Sequence, residues 1–413
     1  MHLDLIMAWR NIWRNPRRTV LTVLAIAFAC LLLVFMLSFQ FGSYETLINS
    51  SVTIHTGHVQ IQTAGYQNTP NIRTVIDNPD PILELVQDMD AVQAFSPRCQ
   101  TFALVSSQNR TMGSMVVGID PSLEAEVSSL EDLLREGQFL TSPSDSSTLA
   151  GALVGRLLAQ NLQISPGDEL TLLGQGRDGS IAATVLQVSG IFASGIEEFD
   201  RQTVHIPLST FQDVFFMGRT VHSIVLLADS LGAVNSIATR LEAAFPDSAD
   251  LVALSWDELQ PGLKQAITLD LVSGAIFYII LVMVVAFSSL NTFLMSIFER
   301  TREFGVMMAM GTKPGRLTRL VLTESVTMTL VGVFLGIMAG CLVTLFFQAH
   351  GIYLGAAHEL LEQFGISGRI HPRLSFLSAT LGPCIVFCIT FISALYPALK
   401  IRKLSPVQAM SAV

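Results

Sequence analysis

The chain has 413 residues, half of them hydrophobic and only 14% charged, with a mean hydropathy of +0.53. That composition excludes an ordinary soluble globular protein and marks a polytopic membrane protein. The formal net charge of −9 leaves no basic surface for nucleic acid. Four apolar stretches are long enough to cross a bilayer: 19–44, 271–298, 319–349 (its uncharged run starting at Ser325) and 374–399. Arginine and lysine cluster before the first span, between the second and third, and after the fourth, so these segments and both termini are expected on the cytoplasmic side.

In chain order, 1–18 is a basic, Trp-bearing segment expected along the inner leaflet. Trp9 and Trp13 suit the headgroup level, and Arg10, Arg14, Arg17 and Arg18 suit anionic lipid. The first apolar run outlasts the core of a cleavable signal peptide, and Ala27-Phe-Ala-Cys30 lacks the Leu of a lipobox, so this helix is expected to be retained. Residues 45–270 form an exported region of mixed α and β structure, inserted between helices 1 and 2, with a second subdomain at about 145–200.

Within that region, alternation from Ser51 to Gln62 predicts a strand, Pro81 to Met89 a helix, and 101–105 and 114–118 two further strands. A Ser/Thr/Asp/Pro-rich loop at 141–148 precedes a predicted amphipathic helix over 152–162. A hairpin follows, with its tip at Gly174-Gln-Gly-Arg-Asp-Gly-Ser and its return strand at 181–191. His55 and His58 have a spacing seen between metal ligands, but on an alternating strand they face opposite ways and no third ligand is evident. Cys99 has no second cysteine in this region, while Cys384 and Cys388, four apart in the fourth span, read as small apolar filling in a buried helix.

The second span exceeds what a straight crossing needs, which fits either a stalk lining a dimer interface or a tilted helix. The third carries Gly332, Gly336 and Gly340 at four-residue spacing, which permits close helix packing. In the outer loop 350–373, Leu360, Leu361 and Phe364 suggest a small amphipathic helix.

The remaining segment, 299–318, is a charged elbow between two spans. Phe304, Met307, Met308 and Gly311 fall at i, i+3, i+4, i+7, so a short helix is predicted with one apolar, Met-rich face suited to a partner's groove. Arg300, Arg302 and Glu303 precede that face, and Glu324, at the entry of the third span, is expected to pair with Arg319 or Arg316.

Glu299-Arg-Thr-Arg-Glu-Phe-Gly-Val-Met-Met-Ala-Met-Gly-Thr, a basic turn and Glu324-Ser325 resemble the coupling helix of the MacB/LolC/FtsX family of ABC permeases, usually Glu-Arg-x-x-Glu-Ile-Gly-x-x-x-Ala-x-Gly-Ala. The N-terminal Ala-Trp-Arg-Asn and Arg-Thr-Val-Leu, and the tail at 396–410, resemble the same family; Ile401 and Met410 depart from its usual small or Leu positions. Gly57-His-Val-Gln-Ile resembles the lipoprotein-releasing branch. The resemblance implies an inner-membrane permease in which Glu299, Arg300, Arg302, Glu303, Phe304, Gly305, Met307, Met308 and Gly311 couple to a dimer of separate ABC ATPase subunits. ATP and magnesium would then sit on that partner, with no cofactor bound by this chain. It further implies a second permease chain, identical or different, and work on a lipoprotein passed to a periplasmic carrier. Efflux, or signalling to a cell-wall hydrolase, is the alternative. The sequence has no Gly-x-x-x-x-Gly-Lys-Ser/Thr loop, no His-Glu-x-x-His and no Gly-x-Ser-x-Gly, so an enzyme is not expected.

Overall fold

A computed structural model describes residue 10 and residues 13–108, 110–141, 149–245, 250–353 and 369–402. The chain divides into two compact units, one helical and one α/β. Trp9, the loop expected at 141–148 apart from its first residue, the outer-loop helix expected near Leu360 and the tail beyond Arg402 fall outside the described residues.

The helical unit is built on four long helices, α1 (Pro16–Ser51), α2 (Pro261–Glu299), α4 (Pro314–His350) and α5 (Phe376–Ile401), with the short α3 (Thr301–Ala309) between α2 and α4. All four long helices are long and apolar enough to span a membrane. Their boundaries are chemically marked. Gly311 ends the α3 segment at φ +96°, a value that favours glycine, and its N–H reaches the Met308 carbonyl at 3.0 Å. Pro314 opens α4, where a missing N–H costs nothing. Ser375 and Ser378 cap each other's backbone at the start of α5.

Close approach of α1 and α4 rests on the three spaced glycines. A Cβ on Gly336 would lie 2.4 Å from Cys30 Cβ and 2.6 Å from the Ala27 carbonyl oxygen, and Gly332 and Gly340 face Ile26 and Val34. The shared core joins Ile26, Ala29, Cys30 and Leu33 of α1 to Val282 and Val285 of α2 and Val386 of α5. Cys384 and Cys388 are exposed rather than buried, because α5 turns Gly382, Val386 and Thr390 inward instead.

Ten strands make one sheet in the α/β unit: β1 (Val59–Thr63), β2 (Val92–Ser106), β3 (Thr111–Ile119), β4 (Leu134–Gly137), β5 (Gly151–Gly155), β6 (Glu169–Gln175), β7 (Ile181–Phe192), β8 (Thr203–Pro207), β9 (Ser223–Ala228) and β10 (Leu251–Ser255). The long β2 pairs β9 along its first half and β6 at its end, so β2-β3-β8-β5-β7-β6 closes back on β2 while β9, β1 and β10 extend outward. The two halves anticipated in this region therefore share a sheet. Its main core is largely Val, Ile and Leu, with Phe211 and Phe215 fully buried.

Two local expectations are corrected. The segment 51–58 is not a strand. Helix α1 runs to Ser51 and passes into a π-helical turn, Val52–Thr56, closed by the Gly57 N–H on the Val52 carbonyl at 2.7 Å. Gly57 has φ +67°, and a Cβ there would meet Val225 Cγ1 at 2.4 Å, so the strand starts only beyond it. His58 is a buried structural residue: its Nδ1 accepts from the Ala228 N–H at 3.2 Å and its Nε2 faces Asn49 Oδ1 at 3.0 Å. The segment 152–162 is likewise not one helix, since Ala152, Leu153 and Val154 belong to the buried strand β5, parallel to β7, and the helix is only Arg156–Leu162. An apolar run this short has no period that separates strand from helix. The hairpin over 174–181 forms as expected, β6 pairing β7 from Glu169 to Gln175.

Candidate functional site

The elbow helix α3 is held by packing on one face and ion pairs on another. Phe304 is fully buried and Met308 nearly so, packed with Ile297 of α2, Leu317 and Val321 of α4, and Ala398 and Ile401 of α5. This corrects the expected docking face: the apolar stripe turns into the bundle, because joining three helix ends buries more apolar surface than leaving it in water. Gly305 is buried, Met307 is half-buried and Gly311 is exposed at the turn. The face left open consists of Arg302, Val306, Ala309 and Met310, the last 74% exposed. These positions share one side of a helix at i, i+4, i+7, i+8.

The charged residues form a linked set around a polar cavity of about 170 Å³ lined by Arg14, Arg18, Glu299, Arg300, Glu303 and Glu324 among others. Arg14 grips Glu303 through both guanidinium Nη atoms, Nη1 reaching Oε2 at 3.0 Å. Hydrogen bonding from Arg14 and its charge hold the Glu303 carboxyl below the ordinary range, with Arg300 adding to the effect. Arg18 Nη1 donates to Glu299 Oε2 at 2.8 Å, and its Nη2 donates to the Thr292 carbonyl at 2.8 Å. Arg300 Nη1 donates to Glu324 Oε2 at 2.7 Å, with the Arg300 guanidinium 5.3 Å above the Phe304 ring. Glu324 therefore pairs with Arg300 across helices.

Of the residues assigned to the lipid surface, Arg10, Trp13 and Arg17 are exposed, whereas Arg14 and Arg18 are taken up by the elbow. Sequence reading missed this bridge, although a signal was present: Arg14 and Arg18 are four apart in sequence, as are Glu299 and Glu303, which matches two cations to two carboxylates. Ion pairs thus tie Glu303 of α3 to Arg14, just before α1, and Arg300, at the start of α3, to Glu324 of α4, while Arg18–Glu299 joins α1 to the end of α2; packed side chains join α3 to α2, α4 and α5. Among the described residues no cluster of three or more His, Cys, Asp or Glu could hold a metal ion.

A set of membrane-spanning helices carrying an α/β domain, with a clamped helical elbow between two spans, defines a membrane permease. The family model described as MacB-like periplasmic core domain matches residues 19–244, and that described as FtsX-like permease C-terminal matches 275–406. The chain belongs to the MacB/LolC/FtsX family of ABC transporter permeases. It is 25% identical to a macrolide export ATP-binding/permease protein, MacB, of a Shewanella species, over 95% of this chain and 58% of that protein. It is 22% identical to the lipoprotein-releasing system transmembrane protein LolC of Neisseria meningitidis, over 95% of this chain and 93% of that protein. The chain thus spans a little over half the length of the MacB-type relative. A solved structure, the periplasmic region of MacB from Actinobacillus actinomycetemcomitans, aligns at 15% identity and a TM-score of 0.37, covering 52% of this chain and 97% of that one.

Proposed function

We propose that this chain is the inner-membrane permease subunit of an ABC transporter, with both termini cytoplasmic and the α/β unit periplasmic, and that the open face of α3 is the seat of a separate ABC ATPase. The observation that carries this reading is the joint itself. One short helix presents Arg302, Val306, Ala309 and Met310 outward while packing binds it to α2, α4 and α5 and ion pairs bind Glu303 to Arg14, just before α1, and Arg300 to Glu324 of α4. Nucleotide and magnesium belong to the partner. A sandwich of two ATPase subunits and one elbow per chain call for two permease chains, the same or different. Work on a cargo held at the periplasmic side then follows from moving helix ends at the cytoplasmic side.

For the cargo, lipoprotein extraction from the inner membrane is the preferred reading, supported by the match along 93% of the LolC relative. Efflux of a small molecule is the second, supported by relatives named for macrolide and pyoverdine export. Purification of the tagged chain in mild detergent from its native membrane, with mass spectrometry of retained proteins and acylated peptides, tests the choice. The lipoprotein reading expects an ABC ATPase together with triacylated peptides. An ATPase accompanied by a periplasmic adaptor and no acylated peptide overturns it in favour of efflux.

A further inference from the structure

A cluster of titratable groups that plays no part in the elbow lies within the α/β unit, where α1 gives way to the sheet. At its centre, Arg98 of β2 and Glu124 of the helix Pro121–Val127 form an ion pair at 2.6 Å, their side chains 5% and 2% exposed. The carboxylate is engaged at both oxygens: Oε1 accepts from Arg98 Nη2, and Oε2 accepts from Arg98 Nε at 3.0 Å and Ser96 Oγ at 2.9 Å. The remaining guanidinium nitrogen, Nη1, donates to the His55 carbonyl in the π-helical turn and stands 3.4 Å from Nδ1 of the same residue.

This contact fixes a charge state by geometry. An imidazole nitrogen that faces a guanidinium N–H must carry a lone pair, so the His55 proton belongs on Nε2. A second proton on Nδ1 would set donor against donor and cation against cation. On its other side the His55 ring lies 5.4 Å from Phe199, and Phe199 lies 5.9 Å from the His205 ring of β8. His205 is 2% exposed and its Nδ1 has no hydrogen-bond partner. Two imidazoles and a guanidinium thus share one carboxylate, which Arg98 already neutralises. Glu198, exposed on the adjoining helix Glu197–Gln202, lines the same cleft as His55. Burial and Arg98, with a smaller push from His205, hold the His55 imidazole at about 3 against the pull of Glu124. A π-turn persists where side contacts hold it and tends to occur at functional sites. Here those contacts are Arg98 on the His55 carbonyl, the Ser129 N–H on the Thr53 carbonyl at 3.0 Å and Gln60 Nε2 on the Thr56 carbonyl at 2.8 Å.

We infer that this cluster is an acid-sensitive latch on the join between α1 and β1: proton uptake by His55 ends the grip of Arg98 on the π-turn and lets the turn open. The direction follows from linkage. His55 in the closed turn binds a proton far more weakly than a free imidazole, whose ordinary value is 6.5, so above that value the closed turn keeps its full stability. As the pH falls from 6.5 towards about 3, the open turn takes up a proton that the closed turn refuses, and its share rises about tenfold for each unit. That the outer pH reaches this cluster rests on the periplasmic placement proposed above; the latch itself does not.

Hydrogen–deuterium exchange of the full chain in nanodiscs, corrected for the intrinsic effect of pH on exchange, tests it. Peptides covering 52–58 are followed from pH 7.5 to 4.5, with the Gly57 N–H, closed on the Val52 carbonyl, as reporter and β6 as internal reference. Protection of 52–58 should fall about hundredfold over that range while β6 keeps its own. His55→Gln, whose amide oxygen can still accept from Arg98 but does not titrate, should remove the fall. His55→Phe, which keeps a ring against Phe199, should remove it too. Protection that does not depend on pH in the unaltered chain overturns the proposal. So does a fall that both variants retain, or one that β6 shares, which is acid unfolding of the whole unit rather than release of a latch.

Discussion

Replacing Glu324 by alanine is expected to cost about 3 kcal/mol, because it strands a largely buried arginine. Arg300 and Glu324 have side chains only 15% and 7% exposed, and after the change Arg300 keeps Glu303 at 3.6 Å and the Phe304 ring as its neighbours. Reversing the pair, with Arg300→Glu and Glu324→Arg together, should recover part of the loss. Glu299→Ala, which breaks the more exposed pair with Arg18, should cost less than about 1 kcal/mol. Unfolding of the purified chain in detergent, followed by tryptophan fluorescence, distinguishes these. Equal losses for Glu324→Ala and Glu299→Ala would show that the Arg300 pair is no anchor.

Gly336→Leu should have a comparable or larger effect through a different cause. The first added carbon already meets Cys30 Cβ at 2.4 Å and the Ala27 carbonyl at 2.6 Å, and the second of these is backbone, which cannot rotate away. Overpacking at this contact should cost about 3 kcal/mol or more and separate α1 from α4. Unfolding of the purified chain in detergent should show that loss for Gly336→Leu and a smaller one for Gly336→Ala. Unchanged stability of Gly336→Leu would mean that the helices do not need the glycine.

The four long apolar helices were legible because the length of an apolar run is a property of the chain that no packing detail alters. The elbow was legible as a motif but not in orientation. Phe304 and Met308 at i, i+4 make the same stripe whether a partner or the chain's own helices cover it, and only the three converging helix ends decide. The Arg300–Glu324 pair was not legible for a geometric reason: Arg300 arrives from another element, 24 residues away in the chain. In the α/β unit, the failures at 51–58 and 152–155 are both places where glycine sets the boundary. A Cβ on Gly57 would lie 2.4 Å from Val225 Cγ1 and one on Gly155 2.3 Å from the Asp200 carbonyl oxygen, a constraint made by residues far away in the chain.

The central claim is that the outward face of α3 holds an ABC ATPase, and co-purification tests it most directly. The tagged chain, the double variant Arg302→Glu with Met310→Asp, and Glu303→Gln are isolated from native membranes, and retained ATPase is measured against the chain itself. The double variant alters only the open face and should lose the ATPase. Glu303→Gln, whose carboxylate grips Arg14 away from that face, should keep the ATPase while weakening its coupling. Retention of the ATPase at an unchanged ratio by the double variant would contradict the account.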